Sequence, residues 1–146
     1  MATDNAHTHQ VPTRWGDFDM YGHMMNANYI EVAQEARLAF AKENIYAKGI
    51  DFMALVRHLD VDYMRPIPFE GNAHVIVETT VSHIGSSSFT TSQQVKTAAG
   101  EVAATVNCVQ VVIDKKKHTP RPLTDVEKDI LQMSASYTAH CAHIER

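Results

Sequence analysis

Arg14-Trp15-Gly16-Asp17-Phe18-Asp19-Met20-Tyr21-Gly22-His23-Met24-Met25-Asn26-Ala27-Asn28-Tyr29 is a turn-rich stretch that hands over to a helix pattern. Two acids sit one residue apart. Apolar or small residues then recur at Tyr29, Ile30, Ala33, Ala36, Leu38, Phe40 and Ala41, leaving Glu31, Gln34, Glu35 and Arg37 more polar, which is helical spacing. Asn26 or Asn28 can cap the start, Lys42 and Lys48 suit the last turns and Gly49 the exit. Apolar character runs around much of this segment, which predicts a helix buried on several sides. A carboxylate beside the positive end of a helix suits carbonyl chemistry, because helix-start N–H groups can hold a developing oxyanion. The same residues also read as a plain turn whose aspartate caps the helix.

Working outward, residues 1–9 are polar and expected to be flexible, and Gln10–Trp15 reads as a short strand. Beyond the helix the pattern changes to period two. Phe52–Tyr63 ends before Arg65-Pro66-Ile67-Pro68, where proline forbids a central ladder position. Ala73–Ile84 and Ser88–Thr97 alternate, with turns at Gly71-Asn72, Gly85-Ser86-Ser87 and Ala99-Gly100. Val102–Ile113 is rich in valine and other strand formers. Thr124 opens a helix to about Ser136, with Glu127 at capping-box spacing. One strand, one long helix, four consecutive strands and a short helix predict a single α+β domain over 10–146: an antiparallel sheet covered by one helix.

Composition narrows the function classes. The chain has 146 residues and a formal net charge of −4, which argues against a nucleic-acid binder. No apolar run approaches the roughly 20 residues of a membrane span. The start, Met1-Ala2-Thr3-Asp4, lacks the basic and apolar regions of a secretory signal. Cys108 and Cys141 form no spacing motif, which fits a reducing cytoplasm. His7-x-His9 and His140-x-x-His143 have no acid or cysteine set to complete them, so no metal and no cofactor are expected. The serine run Ser86-Ser87-Ser88 has no glycine-rich phosphate loop, and no Gly-x-Ser-x-Gly elbow is present.

Two blocks carry a resemblance. Arg14-Trp15-Gly16-Asp17-x-Asp19-x-x-Gly22-His23-Met24-x-Asn26-Ala27-x-Tyr29, followed by Glu35-Ala36-Arg37, resembles the signature of the 4-hydroxybenzoyl-CoA thioesterase-like hotdog proteins. Asp62-Tyr63-Met64-Arg65-Pro66-Ile67, then Gly71 and Ile84-Gly85-Ser86-Ser87-Ser88-Phe89, resembles a second block of the same family. The resemblance covers about Val11 to Pro122. It implies the hotdog fold, an antiparallel sheet wrapped around one long helix, and dimers formed through sheet edges, often paired into tetramers, with active sites at the dimer interface. It implies an acyl-CoA thioesterase, hydrolysing a thioester to free acid and coenzyme A.

By the same resemblance Asp19 aligns with the nucleophile or general base, and the N–H near Asn26 with the oxyanion site. Gly22 lets the loop approach closely. Met25 stands where the family pattern has the first of two asparagines. His23 is a further candidate base near the site, or a residue that holds the loop by hydrogen bonds. Ser87 and Ser88 are expected beside the thioester or pantetheine arm bound by the neighbouring chain, and Arg65 is a candidate for the phosphates of coenzyme A. Lys115–Lys117 and Arg121 are weaker phosphate candidates, since a charge run is more often a solvated face. Asp17 reads as scaffolding, a turn residue or a partner of Arg14. Glu35 and Arg37 read as a solvated or interface salt bridge. A non-catalytic acyl-CoA or acyl-carrier binding protein is the alternative. A hydratase is disfavoured, because Glu31 and Glu35 have no histidine partner on the helix.

Overall fold

The computed structural model describes residues 5–135. Cys141, His140, His143 and the last turn expected for the second helix, at Ser136, lie outside the described residues. Strand β1 (His7–Pro12) leads to helix α1 (Asn26–Asn44), then β2 (Ala54–Tyr63), β3 (His74–Ile84), β4 (Ser88–Lys96), β5 (Val102–Val112) and helix α2 (Asp125–Met133). The five strands form one antiparallel sheet in the order β1-β3-β4-β5-β2. β1 and β2 are therefore its two edges.

The expected order of elements holds, with instructive shifts at the start. β1 begins at His7, inside the segment expected to be flexible, because His7 to Pro12 pair in register with Thr79 to His74. Edge strands need only backbone partners, so their polar sequence conceals them. β1 also stops at Pro12 rather than Trp15: Asp17 accepts the Arg14 N–H at 2.7 Å, curling Trp15–Asp17 into a 3₁₀ turn.

Helix α1 buries one stripe rather than several sides. Asn28, Tyr29, Val32, Ala33, Ala36, Arg37 and Phe40 are buried, while Leu38 is exposed. Fully buried Ala33 and Ala36 let the helix lie close against the sheet. There Tyr29, Val32, Ala33 and Ala36 share a cluster with Val11, Val75, Val77, Val95 and Val106. Each fully buried valine-sized side chain contributes about 1.5–3 kcal/mol by leaving water. The helix ends at Asn44, and Tyr46–Lys48 forms a separate 3₁₀ turn closed by Gly49 in the left-handed region, φ 76°.

A second cluster sits at the other end. Phe40, Ile45, Phe52 and Phe89 meet Leu123, Ile130 and Leu131 around α2. The capping box forms as its spacing predicts, with the Glu127 N–H donating to Thr124 Oγ1 at 3.1 Å and the Thr124 N–H to Glu127 Oε1 at 2.9 Å. Glu127 is buried, and Arg121 holds both its oxygens, at 2.9 and 2.8 Å. Burial pushes this carboxyl up, but hydrogen bonds from Arg121 and the Thr124 backbone and the Arg121 charge outweigh it and leave it below the usual glutamate range. A carboxyl lower in the folded than in the unfolded state stabilises the fold above its unfolded pKa, and loses that contribution as pH falls through its folded pKa. Glu127→Gln should therefore cost about 1–2 kcal/mol at neutral pH. The gap to wild type should close as pH drops below the glutamate range, as read by urea unfolding at several pH values.

Candidate active site

The stretch between β1 and α1 folds into a small hairpin. Phe18 bridges Met24 antiparallel, the Asp19 N–H donates to the His23 carbonyl at 2.9 Å, and the Met25 N–H donates to the Asp17 carbonyl at 2.9 Å. Gly22, at φ 76°, turns the tip. The hairpin is laced to residues 67–69: the Met24 N–H donates to the Ile67 carbonyl at 2.9 Å and the Phe69 N–H to the Gly22 carbonyl at 2.7 Å.

The two acids have separate surroundings. Asp17 is buried and fully engaged. Its carboxylate accepts from the Arg14 guanidinium at 2.8 Å and from Asn28 Nδ2 at 2.8 Å, besides the Arg14 N–H. Asp19 is exposed, and its Oδ1 accepts the N–H groups of Tyr21 at 2.9 Å and His23 at 3.1 Å. Its other oxygen has no hydrogen-bond partner among the described residues. Asp17 is thus scaffolding paired with Arg14, as its spacing predicts, and Asp19 keeps a free oxygen at the surface.

The helix start differs from the expected asparagine cap. Met25 is the N-cap residue, makes no side-chain cap bond, and leaves the first turn without an acid. Asn28 cannot cap because Asp17 holds it from inside. Asn26 is the first helical residue and is exposed. Its carbonyl accepts the Tyr63 hydroxyl at 2.9 Å. Among the described residues no group accepts the N–H of Asn26 or Ala27, so two donors with the helix dipole behind them stay open.

Tyr63 carries no local signal of its role, although it belongs to the second block of the resemblance. It stacks edge-on against Tyr29, ring centroids 5.1 Å apart, and ties β2 to the helix start. The Tyr29 hydroxyl accepts the Ile67 N–H at 3.1 Å and donates to the Arg65 carbonyl at 3.4 Å. Burial raises its pKa, so it stays a neutral strut.

Of the other candidates, His23 is exposed, and its backbone rather than its ring closes the loop. Met25 is exposed beside it. Arg65 is ion-paired with Glu101 at the surface. Arg121 is committed to Glu127, and Lys115 pairs with Asp51. Arg37 departs from the expected surface pair: it is buried against Gln93, and Glu35 is exposed. Ser87 and Ser88 lie towards the far end of the sheet: β3 starts beside Pro12 and runs eleven residues before the turn that carries them. Cys108 is buried with its thiol pushed up by burial, which suits packing rather than attack. Among the described residues no three metal-ligating side chains gather, and no helix is long and apolar enough to cross a membrane.

This geometry coincides with a match to a known family. The family model of the thioesterase-like superfamily matches residues 13–133. The chain belongs to the thioesterase-like superfamily. Both the hotdog architecture and the thioesterase class read from the sequence agree with that membership. A relative in Bacillus subtilis (strain 168), the uncharacterized protein YsmA, is 31% identical over 124 residues, covering 84% of this chain and 82% of its own. A thioesterase from Thermus thermophilus, solved with coenzyme A and Zn, superposes with a TM-score of 0.73 at 26% identity, covering 88% of this chain and 92% of its own. The PA5185 protein of Pseudomonas aeruginosa PAO1 has the same fold, with a TM-score of 0.79 at 24% identity over 90% and 92% of the two chains.

Removing the Asp17 carboxylate takes the main acceptor from the buried Asn28 amide and from the Arg14 N–H. Asp17→Ala should therefore destabilise the protein by about 2–4 kcal/mol in denaturant unfolding. Asp19→Ala should shift the same transition by much less.

Proposed function

We propose that this protein is an acyl-CoA thioesterase, hydrolysing a thioester to a free acid and coenzyme A. One observation carries the reading: an exposed aspartate with a free oxygen sits on the hairpin that delivers an uncapped helix start. The thioester oxygen would accept from the open N–H groups of Asn26 and Ala27, whose hold strengthens as negative charge develops. Donors of this kind are worth on the order of 10²–10³ in kcat. Asp19 then has two routes. Its free oxygen attacks the carbonyl carbon and expels coenzyme A as thiolate, and water cleaves the mixed anhydride; or it takes a proton from a water that attacks directly. His23, Gly22 and Met25 border this point. Asp19→Asn should lower kcat at least 100-fold while leaving the melting temperature near wild type. The assay is thiol release from a panel of acyl-CoAs, and near wild-type turnover would remove Asp19 from the chemistry. Binding without release by the wild-type protein would favour the non-catalytic reading.

We also infer that the working unit is a homodimer with the site at its interface. β2 is a sheet edge carrying exposed Leu55 and Val56 at its start, with exposed Tyr63 and Met64 at its other end. Exposed apolar edges invite another strand. Ser87 and Ser88 follow the end of β3 away from the Asp19 loop, which supports their serving this site from a second copy. Arg65, ion-paired at the rim, is the proposed contact for coenzyme A phosphates. Val56→Lys should shift sedimentation from dimer toward monomer and reduce turnover together; an unchanged dimer would place the interface elsewhere. The cysteine pattern supports a cytoplasmic setting.

A further inference from the structure

A cleft of about 640 Å³ opens between α1 and the β2 edge of the sheet. The helix lines it with Glu31, Gln34, Glu35 and Leu38, one stripe at helical spacing, and the strand lines it with Leu55 and Val56. Leu38, Leu55 and Val56 are exposed. Arg37 lies deeper, at 7% exposure, and among the described residues it makes one hydrogen bond, to Gln93 Oε1 at 2.8 Å. Gln93 is itself fixed, because its Nε2 donates to the Ala33 carbonyl at 2.9 Å and to Thr79 Oγ1 at 3.1 Å.

The charges of this cleft do not balance within one chain. A guanidinium has five N–H donors, and Gln93 takes one. No carboxylate of the described residues forms an ion pair with Arg37, and burial lowers its pKa. Glu35 is the converse, an exposed carboxylate at the cleft wall with no ion pair among the described residues. The other two charged groups are engaged: Arg14 with Asp17, and Glu31 with Arg14 and Asn28 Nδ2, both at 3.3 Å. Glu35 and Arg37 of one helix do not meet, because positions two apart point to different faces.

A second copy changes that. Helix α1 runs against β2: its start meets the strand's end through Tyr29 and Tyr63, and near its end Phe40 shares a cluster with Phe52 and Ala54 at the strand's start. The middle of the helix, at Gln34 and Glu35, is therefore level with the middle of β2, at Leu59. Pairing two β2 edges about a two-fold axis through that middle keeps both helices on one face of the joined sheet and runs them antiparallel. Each cleft then opens toward the other copy. The partner's Glu35 comes within two to three helical positions of Arg37, roughly 3–5 Å along the axis. Two Glu35 carboxylates near one axis repel each other unless cations lie between them.

We propose that a second copy of this chain fills the cleft, and that Arg37 of each copy pairs with the partner's Glu35 across the two-fold axis. The proposal rests on the homodimer reading and adds to it the charge pair that sets its register. Leu38, Leu55 and Val56 are covered in the same contact, and a planar guanidinium meets a carboxylate through two parallel bonds.

Sedimentation equilibrium of the full chain tests it. Glu35→Gln should weaken the dimer at least 10-fold and Glu35→Arg more, with the circular dichroism of the fold unchanged. Arg37→Met should weaken it too, and adding Glu35→Gln to Arg37→Met should cost nothing further. Chains carrying Arg37→Glu or Glu35→Arg each face like charges in their own dimers. Mixed, they restore both pairs, so heterodimers should form more tightly than either homodimer. Unchanged dimerisation in Glu35→Gln, additive losses in the double variant, or a mixture no tighter than its components overturns the pairing. If the Arg37 variants do not fold, Glu35→Gln and Glu35→Arg decide: a loss that grows from the first to the second supports the pair, and an absent or equal loss overturns it. A monomeric wild type overturns the homodimer reading as well. A dimer that Val56→Lys splits and Glu35→Gln leaves intact overturns this pairing alone.

Discussion

The buried carboxylate of Asp17 is the constraint on which the working end of this molecule depends. Within a few residues of chain it ends the approach from β1, orients Arg14, and holds Asn28 from inside the first turn of α1. Its backbone carbonyl also receives the Met25 N–H immediately before the helix. A buried charge with this many donors is stable only as a complete set, since losing one partner leaves others dry and unpaired. The register between hairpin and helix is therefore fixed, and the position of Asp19 relative to the first helical N–H groups follows from it. The lacing to residues 67–69 and the Tyr63 hydroxyl on the Asn26 carbonyl extend that rigidity into the sheet.

The division of labour between two neighbouring acids follows from burial. Asp17 faces the protein, and both of its oxygens find donors. Asp19, two residues on, points outward and is tethered through one oxygen only. Period-two extended chain puts successive odd positions on the same side, so this separation requires the 3₁₀ turn at Trp15–Asp17.

Much of the architecture was legible because its signals are local. The valine-rich runs, the Arg65-Pro66-Ile67-Pro68 break and the Thr124–Glu127 box each encode their element within a few residues, whereas the strand order is not local: β2 pairs with β5 rather than with its sequence neighbour β3, which pairs with β1. Asp17 as partner of Arg14 was legible for the same reason, being three residues away. What could not be read depended on distant partners. His7–His9 look like a loose end until Thr79 to Val77 are beside them. Arg37 looks like a surface cation until Gln93, 56 positions away, is placed under it. Tyr63 gives no local hint that its hydroxyl meets Asn26. The helix cap departs from the expected asparagine because Asn28, a favourable capping residue by type, is requisitioned by Asp17.

Met25 at the N-cap has a consequence for how this protein can change. A serine, threonine or aspartate there could take the open Ala27 N–H and typically strengthen a helix by about 1 kcal/mol. The chain forgoes that gain at one of the most readily improved positions it possesses. Selection for thermal robustness alone would drive a hydroxyl or acid into this position, and on the proposed reading the same substitution would compete with a substrate oxygen for the helix start. Under that reading, resting stability and turnover pull this single side chain in opposite directions.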